Sequence, residues 1–391
     1  MKKIDVVILA GGYGTRIKKY TKNKIPKPLL KIKNKPFLDY LLQNISKYPI
    51  NKIYIISGFK GNLINQRYNN KIINLIKIHC IKEKISQGTG YALFSIRKKI
   101  KNDFILINGD TLIDFDLNIF FKKKLNKKYL GCMVLSKNYN SSLSEKLSNL
   151  KLEKNRVINF CKKRNFINAG TIFFRKKVIK SLNAKTLSLE NDILNKYISK
   201  KKMQGIICSN FLIDIGTPKN YIIAKKLIPK YFYRPAIFLD RDGVVNLDKG
   251  YTYKITDFKF QNSILKIIKK FQKKYYIFIV TNQSGIARGY YKIEDFYKLQ
   301  NYIKNYLAKK NLFINDIEFC PHHPLGKIKK FSYKCRCRKP DNLMIKNLTN
   351  RWLILKKKSL FIGNSDSDKI CAKKSNINYY SFNKKISNIL N

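Results

Sequence analysis

Ile4-Asp5-Val6-Val7-Ile8-Leu9-Ala10-Gly11-Gly12-Tyr13-Gly14-Thr15-Arg16 runs a block of apolar residues straight into three glycines and a cation. Far downstream, Ala236-Ile237-Phe238-Leu239-Asp240-Arg241-Asp242-Gly243 repeats the design with carboxylates in the loop. A short apolar run closed by turn residues reads as a buried strand. A strand that delivers such a loop reads as the first strand of an α/β domain, because these folds place ligands just beyond the carboxyl ends of their strands. The chain is therefore expected to hold two Rossmann-like α/β domains. Its 391 residues suit that number.

Outward from the first strand, the stretches Lys52 to Ser57, Phe104 to Asn108 and Gly131 to Leu135 are expected as strands, alternating with helices over Phe37 to Ser46 and Tyr91 to Ile100. That is a βαβ rhythm. Asn149 to Phe160 breaks it and reads as a hairpin turning near Lys154-Asn155, which makes the first sheet mixed. Pro229 and Pro235 bracket a short aromatic and basic connector. The expected organisation is one domain over residues 1–228, a linker over 229–235 and a second domain over 236–391.

Composition sets the outer limits. With 44% hydrophobic and 13% aromatic residues, wholesale disorder is excluded. Lys and Arg number 82 against 23 Asp and Glu, a net charge of +59. Such a balance raises a nucleic-acid reading, and a basic zinc-ribbon protein is the distant alternative. The lysines, however, are spread evenly among Ile, Asn and Tyr rather than gathered in a tail or helix, so they read as solvated filler and no nucleic-acid partner is expected. Apolar runs such as Val6 to Ala10 and Ile277 to Val280 are far too short to span a bilayer. The first of them ends at Gly11-Gly12 with no cleavage site after it, and Cys80, Cys132, Cys161 and Cys208 are scattered among apolar neighbours. A soluble protein of the reducing cytoplasm, without a membrane partner, is the expectation.

In the first domain, glycines let backbone N–H groups close around phosphate oxygens, and Arg16 adds a charged fork. Pro26-Lys27-Pro28-Leu29 supplies a second cation on a stiffened segment. Asn108-Gly109-Asp110-Thr111 and Asp214-Ile215-Gly216-Thr217-Pro218 each set a carboxylate at a strand end or turn. Two carboxylates beside a phosphate cradle suit magnesium-dependent attack on a nucleotide α-phosphate.

With Gln87-Gly88-Thr89-Gly90, Asn168-Ala169-Gly170 and Ser188-Leu189-Glu190 added, residues 1 to 228 resemble the sugar-1-phosphate nucleotidyltransferases. The resemblance implies that Gly11, Gly12, Gly14, Thr15, Arg16 and Lys27 hold the triphosphate of a nucleoside triphosphate and that Asp110 and Asp214 bind Mg2+. It sets Gly88 by the base, Glu190 on sugar hydroxyls, and Asn168 to Gly170 along the sugar pocket. Lys163 matches the lysine of the family's Phe-x-Glu-Lys stretch, with Lys162 standing where glutamate is usual. No hexapeptide-repeat tail follows, which argues against the acetyltransferase-linked members.

In the second domain, Asp240 and Asp242 offer two carboxylates at i and i+2, one able to attack phosphorus and the other to protonate the leaving oxygen. Val280-Thr281-Asn282-Gln283, Arg338-Lys339-Pro340 and Gly363-Asn364-Ser365-Asp366-Ser367-Asp368 complete a pattern that resembles the haloacid dehalogenase phosphatases. That resemblance makes Asp240 the nucleophile and Asp242 the general acid/base. Thr281 and Lys339 become phosphate holders, with Asn246 and Asn282 beside the substrate. Mg2+ falls by Asp240, Asp242 and residue 364. Asn364 stands where the family has aspartate, which removes one negative charge from the metal; Asp366 and Asp368 are the candidates to compensate.

Cys320, His322, Cys335 and Cys337 form a C-x-H and C-x-C pair whose first cysteines lie fifteen residues apart. Three thiolates and an imidazole close a tetrahedral site, the pattern of structural Zn2+. With Gly250-Tyr251, Ser284 to Gly289 and Cys337-Arg338-Lys339-Pro340, residues 236 to about 380 look like the D-glycero-D-manno-heptose 1,7-bisphosphate 7-phosphatases. Arg288, Arg338 and Lys339 would then engage the sugar bisphosphate. Histidinol-phosphate phosphatases share much of the zinc loop and are the rival for this half. A 7-phosphatase yields heptose 1-phosphate, the substrate of a heptose nucleotidyltransferase, so the fusion implies a bifunctional enzyme making a nucleotide-activated heptose, GDP-heptose by the closest resemblance. The alternative is transfer to another sugar 1-phosphate beside a histidinol-phosphate-type phosphatase.

Overall fold

The computed structural model describes residues 3–83, 87–122, 125–137, 150–159, 166–208 and 211–382. These fall into two compact units, the first running to Pro229 and the second from Lys230, with Ser46–Pro49 counted with the second.

The first unit is built on a mixed ten-stranded sheet. Ile4–Leu9 lies inside it, its first five residues fully covered, and pairs in parallel with Ile53–Ser57 on one side and Asp103–Asn108 on the other. Runs this apolar need cover on both faces, and parallel strands are where that occurs. Ile167–Phe174 then adds antiparallel to Asp103–Asn108, and Gly131–Ser136 antiparallel to it in turn. The expected hairpin is present as Leu150–Glu153 and Arg156–Asn159. Lys154 and Asn155 turn it with φ of 42° and 65°, the double left-handed conformation that matches strand twist in a two-residue turn. Val7, Phe104, Leu106, Met133, Ile172 and Phe174 pack one core against Ala92, Leu93 and Ile193.

Two helices depart from expectation. Thr89–Ser95 starts two residues early and stops before Ile96. Its far end is capped from within, Ser95 Oγ donating to Ala92 O and Arg97 Nη1 to Phe94 O, so side chains take carbonyls the helix would need to continue. Pro229 lies inside the helix Pro218–Phe232 rather than ending it. Ile228 and Phe232 are buried on either side, and their cover outweighs the single backbone bond a late proline removes.

The second unit carries a five-stranded parallel sheet in the order Asp316–Cys320, Tyr276–Asn282, Ala236–Leu239, Leu360–Gly363, Asn378–Ser381. The Asp240 strand is central, so the ends of both its neighbours converge on it. Phe238, Phe278, Phe361 and Trp352 fill the core below. Trp352 is fully covered, and its Nε1–H donates to Asp316 Oδ2 at 3.0 Å, which satisfies the one polar atom it carries. Among the described residues no helix is long and apolar enough to cross a membrane.

Candidate active sites

A cleft of about 240 Å3 opens at the carboxyl end of Ile4–Leu9. Gly11, Gly12, Lys27, Gly88, Asp110 and Glu190 line it, so five separate stretches of the sequence reading meet there. Lys27 Nζ pairs with Asp110 Oδ2 at 2.5 Å. Burial alone would push the Asp110 carboxyl up, but the Lys27 charge and the bonds from Lys27 and Thr111 hold it below the usual carboxylate range. The aliphatic part of Lys27 packs on Gly14. Asp214 is brought alongside by a two-stranded ladder that sets it opposite Thr111, with Ile215 N–H on Asp110 O at 3.0 Å. Its own oxygens accept from Gly216 N–H and Asn220 Nδ2, both at 2.8 Å.

Gly88 has φ of 103° and sits against the Leu187 carbonyl, where any side chain would collide. This close approach ties the 87–90 loop to the segment that carries Glu190. That segment, Leu189–Leu194, is wound as a π-helix, a form frequent at functional sites, and Thr89 Oγ1 donates to Glu190 Oε2 at 3.5 Å. Gly170 lies within a register shift in Ile167–Phe174, donates its N–H to Asn168 Oδ1 at 3.0 Å and backs onto Asn108 and Thr111. Arg16 and Thr15 occupy the short turn Thr15–Ile17 just past the glycines and are not among the cleft-lining residues. Lys163 lies outside the described residues. Sequence reading missed Glu83, which follows the strand Ile76–Lys82 into the cleft with its carboxylate over Gly11 and Gly58. Burial pushes that carboxyl up.

In the second unit Asp240 follows its strand directly. Its Oδ1 accepts from Arg241 N–H at 2.7 Å and faces Lys339 Nζ at 2.8 Å. Burial raises the Asp240 carboxyl to about 6 against the pull of Lys339. Lys339 is buried and also contacts Asp368 Oδ1 at 2.6 Å and Val280 O at 3.1 Å. Asp368 thus spends one oxygen on Lys339. Its other oxygen accepts from Asn364 N–H, Ser365 N–H and Ser365 Oγ, capping the helix Asp366–Lys374. The Asn364 amide lies on Gly243, whose φ is 81° and whose missing side chain makes that contact possible. Asn282 bonds the Lys339 backbone in both directions, at 3.0 and 3.1 Å, and so fixes where Lys339 points.

Asp242 is gripped from three sides. Arg241 Nη2 reaches both its oxygens at 2.8 Å, Asn246 Nδ2 donates at 3.2 Å and Gln283 Nε2 at 2.9 Å. Gln283 also donates to Thr281 Oγ1 at 2.9 Å and accepts from Tyr291 OH at 2.7 Å. Arg241 is itself wholly buried. Gln283, Tyr291 and Arg241 were not legible as site residues, since nothing in their spacing sets them apart.

Cys320, His322, Cys335 and Cys337 bring four ligand atoms within 4.8 Å of one another, a cluster that could hold a metal ion. The three sulfurs lie 3.2–3.4 Å apart, and His322 Nδ1 is 3.2 Å from Cys337 Sγ. Hydrogen bonds from Cys320, Cys335 and His322 pull the Cys337 thiol down to about 5. His322 Nε2 meets Tyr333 OH at 2.7 Å, the outer-shell bond that orients a ligating imidazole.

Two α/β units, each gathering cations and carboxylates at the carboxyl edge of its sheet, define a two-site enzyme of phosphate chemistry. A nucleotidyl transferase family model matches residues 5–231. The D-glycero-alpha-D-manno-heptose 1-phosphate guanylyltransferase of Campylobacter jejuni is 32% identical over 222 residues, 56% of this chain and 97% of that one. The D-glycero-alpha-D-manno-heptose-1,7-bisphosphate 7-phosphatase of the same organism is 45% identical over 134 residues, 34% of this chain and 73% of that one. A solved structure from Bacillus anthracis, assigned as a glucose-1-phosphate thymidylyltransferase, shares the first fold at a TM-score of 0.50 and 20% identity, over 57% of this chain and 94% of its own. The chain belongs to the nucleotidyl transferase family and, through the phosphatase relative, to the heptose-bisphosphate 7-phosphatases as well.

Proposed function

We propose that one unit of this chain makes the other's substrate: the second hydrolyses the 7-phosphate of D-glycero-D-manno-heptose 1,7-bisphosphate, and the first joins the heptose 1-phosphate so formed to GMP from GTP. The observation that carries the reading is the presence of both sites on one chain, with relatives of its two halves that act, by name, on consecutive compounds of one sugar.

In the phosphatase, an Asp240 oxygen attacks phosphorus, the bond to the sugar oxygen breaks, and Asp242 gives that oxygen a proton. Water then opens the aspartyl phosphate and Asp242 takes a proton back. Lys339 and Thr281 hold phosphate oxygens, while Arg241, Asn246 and Gln283 fix the plane of Asp242. The Asp240 carboxylate, the Asp242 carbonyl and the amide oxygen of Asn364, whose side chain lies on Gly243, would hold Mg2+, which would neutralise charge on the transferring group. In the transferase, a sugar-phosphate oxygen attacks the α-phosphorus and pyrophosphate leaves. Arg16 and Lys27 stabilise the triphosphate, and Asp110 and Asp214 are the oxygen ligands for Mg2+. These substrates belong to the cytoplasm, and nothing in the reading calls for nucleic acid.

Glu83 supports the choice of guanine. Guanine presents two adjacent donors, N1–H and its exocyclic amine, and a carboxylate accepts from both; uracil, thymine, cytosine and adenine each set an acceptor on the corresponding edge. Glu83→Gln is expected to lower kcat/KM for GTP by roughly 10- to 100-fold and to narrow the margin over UTP. Initial rates with the four ribonucleoside triphosphates check it, and an unchanged GTP to UTP ratio would contradict the assignment.

The cysteine cluster is proposed to hold one structural Zn2+. Its donor set of three thiolates and one imidazole leaves no open position. Removal of the metal by a strong chelator should lower the melting temperature of the second unit's transition while the first unit's transition holds. A melt unchanged after loss of one zinc per chain would rule the role out.

A further inference from the structure

Glu190 is the second residue of the π-helix Leu189–Leu194, and the backbone around it is fixed from within its own segment. Asp192 Oδ2 accepts from the Leu187 and Ser188 N–H groups, both at 2.8 Å, and Ser188 Oγ accepts from Asn191 N–H at 3.1 Å. None of these bonds reaches the Glu190 side chain. A glutamate turns about several bonds, and freezing them costs free energy that an aimed contact must offset. Among the described residues the Thr89 hydroxyl is the one hydrogen-bond partner of the Glu190 carboxylate.

Thr89 lies 101 residues earlier in the chain and opens the helix Thr89–Ser95. The two segments are joined backbone to backbone. Gly90 N–H donates to Leu187 O at 2.9 Å, and a Cβ on Gly90 would lie 2.9 Å from both Leu187 C and Ser188 N, so nothing bulkier than glycine fits the seam. At its edge Thr89 Oγ1 accepts from Leu189 N–H at 3.0 Å. A hydroxyl has one hydrogen and two lone pairs, and a carboxylate only accepts. With Leu189 served by a lone pair, the Thr89 O–H is left for Glu190 Oε2, which stands 3.5 Å away. That is long for a hydroxyl–carboxylate bond, and contacts of this kind in an empty site tighten once substrate is bound. Thr89 and Glu190 both line the cleft.

We propose that Thr89 is a positioning residue of the transferase, whose hydroxyl holds the Glu190 carboxylate turned into the cleft so that it meets the sugar already aimed. The inference rests on the reading of Glu190 as the group that bonds the sugar hydroxyls. Thr89 acts through Glu190 and needs no contact of its own with the substrate. Its hydroxyl carries the role, because the backbone seam persists without it and a valine of the same shape has no hydrogen to donate. Aiming the carboxylate beforehand removes part of the ordering cost from the binding step, so the effect falls on affinity for the sugar phosphate. The nucleotide, held by other residues, should not feel it.

The test uses the full chain with Mg2+ and follows pyrophosphate release, first with heptose 1-phosphate varied at saturating GTP and then the reverse. Thr89→Val should raise KM for heptose 1-phosphate about 10-fold, while KM for GTP moves by less than about twofold. Thr89→Ser restores the hydroxyl and should return KM for heptose 1-phosphate to within about threefold of wild type. In a Glu190→Ala background Thr89→Val should change KM for heptose 1-phosphate no further, because the two residues act as a unit. The proposal is overturned by an unchanged heptose 1-phosphate KM in Thr89→Val, by parallel rises in both KM values, by a failure of Thr89→Ser to rescue, or by additive losses in the double variant. Glu190→Ala that leaves KM for heptose 1-phosphate unchanged would instead sink the sugar-pocket reading, and the positioning role with it.

Discussion

Asp240→Asn is expected to stop phosphate release from heptose 1,7-bisphosphate, lowering kcat by roughly 10³-fold or more, while pyrophosphate release from GTP and heptose 1-phosphate stays at the wild-type rate. The substitution keeps the shape of the side chain and removes its nucleophilic oxygen. It should also fold. Burial already holds the Asp240 carboxyl up at about 6, so a neutral group suits the site, and Lys339 retains Asp368 as a counter-charge at 2.6 Å. The Asn amide oxygen can still accept from Arg241 N–H, which now lies 2.7 Å from Oδ1. Loss of both activities together would mean that the change acts through stability, and persistence of phosphate release would remove Asp240 from the chemistry.

Asp110→Asn should do the reverse. Nucleotidyl transfer is expected to fall by roughly 10²- to 10³-fold with phosphate release intact. Asp110 is the partner of Lys27 in the cleft and stands one ladder position from Asp214. Neutralising it removes a proposed Mg2+ ligand and leaves Lys27 without its counter-charge. The readout is pyrophosphate formed from GTP at saturating heptose 1-phosphate. Raising Mg2+ should restore part of the rate, because a site with one carboxylate fewer binds the cation more weakly. Full activity at low Mg2+ would count against Asp110 as a ligand.

Much of this was legible in the chain because each signal is local. Ile4–Leu9 and Ala236–Leu239 are apolar runs that end in loops of unmistakable chemistry, and Lys154-Asn155 is a turn that only a few residue types make well. The cysteine cluster could be read because its ligands keep motif spacing, and the fold then needs only to bring Cys320 back to Cys335 and Cys337. What stayed hidden depends on long-range approach. Glu83 is one acid at the end of one strand, and only the packing of that strand beside Gly11 and Gly58 carries it into the cleft. Gln283 reaches Asp242 across 41 residues, and Tyr291 orients it from a further element. Asp368 looked like a spare metal ligand, and the fold places it on Lys339 and at a helix cap. Pro229 read as a break because sequence weighs the lost backbone bond and cannot see the burial of Ile228 and Phe232 around it.

The central claim is that one chain carries two consecutive steps. The most direct measurement incubates the purified chain with Mg2+, GTP and D-glycero-α-D-manno-heptose 1,7-bisphosphate and follows the products by mass spectrometry. The account predicts GDP-heptose, one inorganic phosphate and one pyrophosphate for each bisphosphate consumed, with heptose 1-phosphate as a transient. Bisphosphate recovered intact, or heptose 1-phosphate accumulating without any nucleotide sugar, would contradict it.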